Sequence, residues 1–200
     1  MKKRNLHRVI YTSSPDRGLD ILLKLWPKVK EAVFDAELHN FYGWELFDMA
    51  YRNNPASMMW KEEVVKGLRQ QDVYDHGRVP QEQLVSELKK SGIWAYPTYF
   101  GEINCISALK AQYYGCEPVV INYAALRETV QFGRKVEGDI YDKATQEAFV
   151  RELIDALTNP MSDEKRSEMS TWAEQFKWSE VAKTWNELFQ EKLEKEAKQQ

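Results

Sequence analysis

The chain has 200 residues, 43% of them hydrophobic and 30% charged, with 28 basic against 31 acidic side chains and a net charge of −3. That length suits one domain with a sizeable core, and charge of both signs interspersed excludes a basic nucleic-acid or membrane surface. Lys2-Lys3-Arg4 is not followed by the apolar stretch of a signal peptide, no apolar run reaches the length of a spanning helix, and Cys105 and Cys116 form no CxxC pair; a reduced, cytoplasmic setting without a disulfide framework is expected.

Taken in chain order, the sequence alternates strand and helix. Arg8 to Thr12 is β-prone, and a Ser-Ser-Pro-Asp loop follows it. Leu19, Leu22, Leu23 and Trp26 then fall at i, i+3, i+4, i+7 of a helix in which Pro27 removes a backbone donor. Glu37 to Tyr42 reads as a second strand closed by Gly43, and 44–69 as helix interrupted at Asn53-Asn54-Pro55. Val73 to His76 is a weak strand ending at Gly77. Pro80 to Lys90 is an amphipathic helix through Leu84, Val85 and Leu88. Ile93 to Pro97 reads as strand, Glu102 to Tyr114 as helix stopped by Gly115, and Pro118 to Ile121 as a strand covered on both faces. From Tyr141 onward only helices are read, one with its apolar face through Val150, Leu153, Ile154 and Leu157, another through Trp178, Val181, Ala182, Trp185, Leu188 and Phe189.

Such alternation predicts a Rossmann-like, doubly wound parallel α/β sheet of about five or six strands with extra C-terminal helices. A core over 1–140 and C-terminal helices over 141–200, packed on the same domain, are expected. Trp178, Trp185 and Phe189 should point inward, and the charged tail from Glu191 to Gln200 should fray.

In an open α/β sheet ligands bind beyond the carboxyl ends of the strands, and three loops fall there. Ser13-Ser14-Pro15-Asp16-Arg17-Gly18 offers helix amides and the Arg17 guanidinium to a phosphate, although Ser, Pro and Asp also suit simple helix capping. Pro97 to Cys105 offers the amides of Ile103, Asn104 and Cys105, with Glu102 able to accept from two hydroxyls or merely to complement a helix dipole. His76-Gly77-Arg78-Val79 allows close backbone approach at Gly77, or is a simple turn.

These residues carry a resemblance to the GT-B fold glycosyltransferases of the GT4 kind, in their C-terminal donor-binding domain. PTYFGEINCISALKAQYYGCEPVVIN resembles the family's donor motif, Pro-small-x-x-x-Glu followed by Glu-Ala and Gly-x-Pro-Val-Val. HGRVPQEQLVSELKKSGIWAYPT is similar to its Gly-x-Val segment, SSPDRGLDILLKLWPKV to its Lys-Gly loop with Arg17 at the Lys position, and FKWSEVAKTWNELF to its C-terminal helix. The resemblance implies glycosyl transfer from a nucleoside-diphosphate sugar without a metal or cofactor and with retention of configuration. It assigns catalysis to Arg17 and Glu102, and donor binding to Ser13, Ser14, Gly18, Gly77, Arg78, Gly101, Ile103, Asn104, Cys105, Ile106 and Lys110.

Two departures qualify it. The family's second Glu, which would hold the ribose hydroxyls, is Lys110, and a Lys cannot accept a hydrogen bond. The position of the family's Arg falls near Ser13, so one of the two usual phosphate cations is absent from its usual place. A whole GT-B enzyme has two such domains, so the acceptor-binding half is expected from a missing N-terminal domain or a partner chain. An exposed apolar face including Tyr99 and Phe100 would meet it or support a homodimer. The alternative is a non-catalytic sugar-nucleotide or protein-binding module. No Asp-x-Asp is present, Asp35-Ala36-Glu37 being nearest; the three His lack ligand spacing, and neither a GxGxxG nor a P-loop follows the first strand.

Overall fold

A computed structural model describes residues 3–197, which leaves Lys2 of the basic run and the last three residues of the charged tail outside it. Six strands form one sheet: β1 (Asn5–Tyr11), β2 (Glu37–Asn40), β3 (Val73–Asp75), β4 (Ser91–Tyr96), β5 (Glu117–Ile121) and β6 (Arg134–Val136). Their order is β3-β2-β1-β4-β5-β6, and every neighbouring pair is parallel. This is the doubly wound arrangement that the alternating sequence implies. The order reverses between β1 and β4, which opens a crevice at their carboxyl ends.

The central strands are apolar because both faces are covered. All six residues of β4 are buried, and Trp94 within it is fully enclosed, its indole N–H donating to Thr12 Oγ1 at 3.0 Å. Over one face lie α1 (Leu19–Ala32), α3 (Pro55–Gly67) and α7 (Lys143–Thr158), with α1 packed on both others; over the other, α5 (Ile106–Tyr113) packs on α8 (Asp163–Ala173). Phe149, Val150, Leu153 and Leu157 of α7 belong to the same buried core as the strands. The helical stretch read over 44–69 is two helices, α2 (Glu45–Tyr51) and α3, divided where Asn54 caps the Ser57 amide at 3.1 Å and Pro55 starts the next turn.

Pro27 sits inside α1. Having no N–H, it leaves the Leu23 carbonyl without its helical partner. Gln70 supplies one: its Nε2 donates to Leu23 O at 3.0 Å and to Gly67 O at 2.8 Å. Gln70→Leu is therefore expected to cost about 1–2 kcal/mol in urea unfolding. Pro27→Ala, which restores the helical donor, should recover part of that loss in the double variant. An unchanged urea midpoint for Gln70→Leu would remove the compensation.

Five elements were not read from the sequence: β6, the single turn α6 (Leu126–Thr129), the separate helix α8 and the one-turn helices Pro15–Arg17 and Glu174–Phe176. The helix read from Glu102 starts four residues later, at Ile106. The Glu102 carbonyl accepts from the Ala125 amide at 3.1 Å, and it is the Cys105 carbonyl that accepts the first helical bonds.

The terminal helix α9 (Trp178–Ala197) departs furthest from expectation. It stays helical through most of the tail expected to fray, yet none of its residues is buried, and Trp178 is 84% exposed with Trp185, Leu188, Phe189 and Leu193 also open. It packs mainly on the one-turn helix Glu174–Phe176 rather than on the core. Helical periodicity shows that one face is apolar, not that the same chain covers it. Among the described residues no helix is long and apolar enough to cross a membrane.

Candidate functional site

The loop after β1 runs through Thr12, Ser13 and Ser14 into a one-turn helix at Pro15–Arg17. The Ser14 carbonyl anchors it, accepting from the Arg17 amide at 3.1 Å and the Tyr11 hydroxyl at 2.8 Å. Gly18 then turns into α1 with φ 111°, and a Cβ there would lie 2.3 Å from the Pro97 carbonyl oxygen. Its freedom serves close contact between this loop and the one after β4. Tyr99 joins the same two loops, donating to Asp16 O at 2.8 Å.

That seam places Arg17 against Glu102. The guanidinium donates to Glu102 Oε1 at 3.1 Å and lies over the Phe100 ring, 4.0 Å from its centroid. Partial burial pulls the Arg17 pKa down, but the Glu102 carboxylate and Tyr96 more than offset it, so the net shift is upward. Tyr96, the last residue of β4, is fully buried and donates to the same Glu102 oxygen at 2.7 Å, while Ser13 Oγ lies 3.2 Å from its hydroxyl. Burial first, and then the Glu102 carboxylate, push the Tyr96 pKa well above the ordinary phenol value, so it is a standing donor. The sequence reading missed Tyr96; a polar-tipped aromatic ending an otherwise apolar buried strand was the signal available.

The amides of Ile103, Asn104 and Cys105 are not the first amides of α5, contrary to the expected boundary. None of the three donates a hydrogen bond within the described residues, which keeps them open to an anion. Ile103 and Asn104 are exposed, whereas Cys105 is enclosed as a whole residue, and burial raises its thiol to about 12. Gly101 and Gly77 border open space; Gly77 has φ +61° with nothing within 4 Å of a would-be Cβ.

Arg17 and Glu102 close on one another at the carboxyl edge of the sheet. Two cavities open at this edge, and neither is lined by Arg17 or Glu102. One cavity, of about 210 Å³, lies beside β1, with Thr12, Arg78, Gln81, Ile106, Ser107 and Lys110 in its wall. The other, of about 410 Å³, lies past β5 and β6, between Thr98, Tyr123, Glu137 and Tyr141. Around them Phe100, Ile103, Ile106, Tyr123 and Tyr141 stand exposed.

His76 stacks on Phe41 with centroids 4.3 Å apart, and its Nε2 lies 2.9 Å from His39 Nδ1. Burial first, and then the Arg8 guanidinium, lower the His39 pKa from 6.5 to about 4. Between those values the unfolded chain takes up a proton that the folded one refuses, so stability falls as pH drops from about 6.5 toward 4. His39 should account for about 2 kcal/mol of the loss between pH 7 and pH 4.5. Urea midpoints at the two pH values should draw together in His39→Gln; the same gap in variant and wild type would count against it. Among the described residues no three His, Cys, Asp or Glu side chains come together as a metal site.

No curated protein matches the sequence. Among solved structures the chain is similar to the GtfA/B complex (TM-score 0.71, 14% identity, covering 95% of this chain and 37% of that one). It is also similar to sucrose-phosphate synthase (tll1590) from Thermosynechococcus elongatus (TM-score 0.71, 15% identity, 93% and 45%). A third is a glycosyltransferase from Rickettsia africae ESF-5 (TM-score 0.69, 14% identity, 96% and 48%). At such identities the likeness is one of fold, and the chain spans less than half the length of each. The family model described as glycosyl transferases group 1 matches residues 3–176. With most of its length inside that match, the chain belongs to the glycosyl transferases group 1 family.

Proposed function

We propose that the chain is the donor-binding half of a glycosyltransferase that uses a nucleoside-diphosphate sugar. The observation that carries this reading is the meeting of Arg17 and Glu102 at the crevice between β1 and β4, in a chain of this family. Arg17 would give up Glu102 for the diphosphate, joined by the amides of Ile103, Asn104 and Cys105. Glu102, held by Tyr96, would then accept from hydroxyls of the sugar. A guanidinium and amides already in place stabilise the leaving diphosphate as the glycosidic bond breaks, which is the part a metal would otherwise take. Metal independence and retention of configuration belong to this proposal.

The acceptor side is assigned to another domain or a partner chain. The short span relative to similar structures and the exposed apolar residues around the crevice favour this, as does the fact that one similar structure is of a two-component complex. A second reading, a non-catalytic sugar-nucleotide or protein-binding module, is favoured by Lys110 in place of a hydroxyl acceptor. Calorimetric titration with UDP, GDP and ADP, followed by an assay for donor-sugar hydrolysis, separates the two. Binding with turnover supports the transferase, binding without turnover the module, and no binding at millimolar concentration removes both donor readings.

A further inference from the structure

The 210 Å³ cavity beside β1 has a chemistry of its own. Its wall holds two cations, Arg78 and Lys110, and no carboxylate. Among the described residues neither cation forms an ion pair; Lys110 Nζ donates only to Gln81 Oε1, at 2.7 Å, and Gln81 is itself in the wall. Two cations with no ion-pair partner in the wall, beside the hydroxyl-bearing Thr12 and Ser107, suit an anion with several acceptor oxygens. A neutral diol could bond here, to Gln81 Oε1 and the hydroxyls of Thr12 and Ser107, but it would leave both positive charges without a counter-ion.

The cavity adjoins the Arg17 site. Ser107 Oγ donates to Thr12 O at 3.1 Å, and Thr12 precedes Ser13, whose hydroxyl meets Tyr96. At about 210 Å³ it is smaller than the pockets that enclose whole ligands, so it takes one group of a larger molecule.

We propose that this cavity binds a phosphate monoester group through Lys110 and Arg78, so that the ligand carries a phosphate where a plain nucleotide has its ribose diol. The inference rests on the donor-site reading only for what the rest of the ligand is. The shared chemistry is a phosphate group, and it has two sources: a ribose phosphorylated at its 2′ or 3′ position, or free inorganic phosphate acting beside the donor.

Calorimetry on the full chain tests it with 5′-monophosphates, the matching 2′,5′- and 3′,5′-bisphosphates, and inorganic phosphate, in the adenosine and uridine series. One of the bisphosphates is expected to bind about 10- to 100-fold tighter than its 5′-monophosphate, as a charge-assisted contact gives. That advantage should vanish in Lys110→Gln, reverse in Lys110→Glu, shrink in Arg78→Gln, and survive in Arg17→Ala. Lys110-dependent binding of inorganic phosphate, with no gain from the ribose phosphate, keeps the site and assigns it to the free anion. Equal affinities together with no Lys110-dependent phosphate binding overturn the proposal, as does an advantage that survives both Lys110 variants. Failure of the donor reading registers separately, as nucleoside-diphosphate binding that Arg17→Ala leaves unchanged. Lys110 and Arg78 are not core residues, and unchanged urea midpoints verify that their variants fold.

Discussion

Arg166→Met is expected to lower the unfolding free energy by about 3 kcal/mol, the largest single loss of stability anticipated outside the hydrophobic core. Arg166 is on α8 and only 6% exposed, yet no carboxylate pairs with it among the described residues. It is spent on backbone carbonyls: Nη1 donates to Gly115 O at 2.6 Å and Gly92 O at 3.1 Å, and Nη2 to Met161 O at 3.3 Å. Those carbonyls lie at the turn into β5, at the start of β4 and just before α8, so one side chain ties the helix to two strands. Arg4 works from the other side, donating to Tyr114 O at 2.7 Å. Burial first, and then repulsion from Arg4, lower the Arg166 pKa. Two opposing terms set the sign. Removing the guanidinium relieves a charge held out of water, but it leaves three carbonyls without donors, each worth about 1–3 kcal/mol. The carbonyls win because their number exceeds what one methionine packing surface offsets. Equilibrium urea unfolding decides it, and a variant within 1 kcal/mol of wild type would mean that the charge's desolvation cancels the bonds.

This clasp marks where sequence reading stops. The pattern of apolar runs at strand spacing and apolar faces at helical spacing was enough to place β1, β2, β4 and β5 and the helices between them, because burial on a sheet writes a local period into the chain. β6 carries no such period: Arg134-Lys135-Val136 has one buried residue in three and sits at the sheet edge, where only one neighbour constrains it. Arg166 looks like any surface arginine of a charged helix, since its partners are backbone atoms far away in sequence. Likewise Arg17 and Glu102 were each legible as candidates from their loops, but their mutual contact depends on how closely Gly18 brings the loops together. The α9 face was legible as apolar and misread as inward, because amphipathicity is a property of the helix while burial is a property of its neighbours.

The Arg17–Glu102 contact has a consequence for how the two variants should differ. Arg17→Ala is expected to weaken binding of a nucleoside diphosphate about 10- to 100-fold, the loss of one charge-assisted contact worth roughly 1.5–3 kcal/mol. Glu102→Gln should act in the opposite direction on the plain diphosphate. Without ligand the carboxylate occupies the guanidinium at 3.1 Å, so the anion has to displace it. The amide is neutral and frees Arg17, and affinity for the plain diphosphate should rise severalfold and fall more steeply with added salt, since the carboxylate no longer offsets the attraction of the guanidinium. For the sugar nucleotide the gain should disappear, because the neutral amide accepts sugar hydroxyl bonds more weakly than the carboxylate does. The two ligands thus separate the roles: the cation faces phosphate, and the carboxylate competes with phosphate but holds sugar. The Tyr96 hydroxyl, fixed on the same Glu102 oxygen at 2.7 Å, keeps the carboxylate from swinging out with the departing Arg17. Tyr96→Phe should therefore lower affinity for the sugar nucleotide while leaving the plain diphosphate nearly unchanged. Calorimetry with both ligands on the three variants reads all of this at once. Parallel losses for both ligands in Glu102→Gln would show that the carboxylate merely orients Arg17, and the division of labour between them would fall.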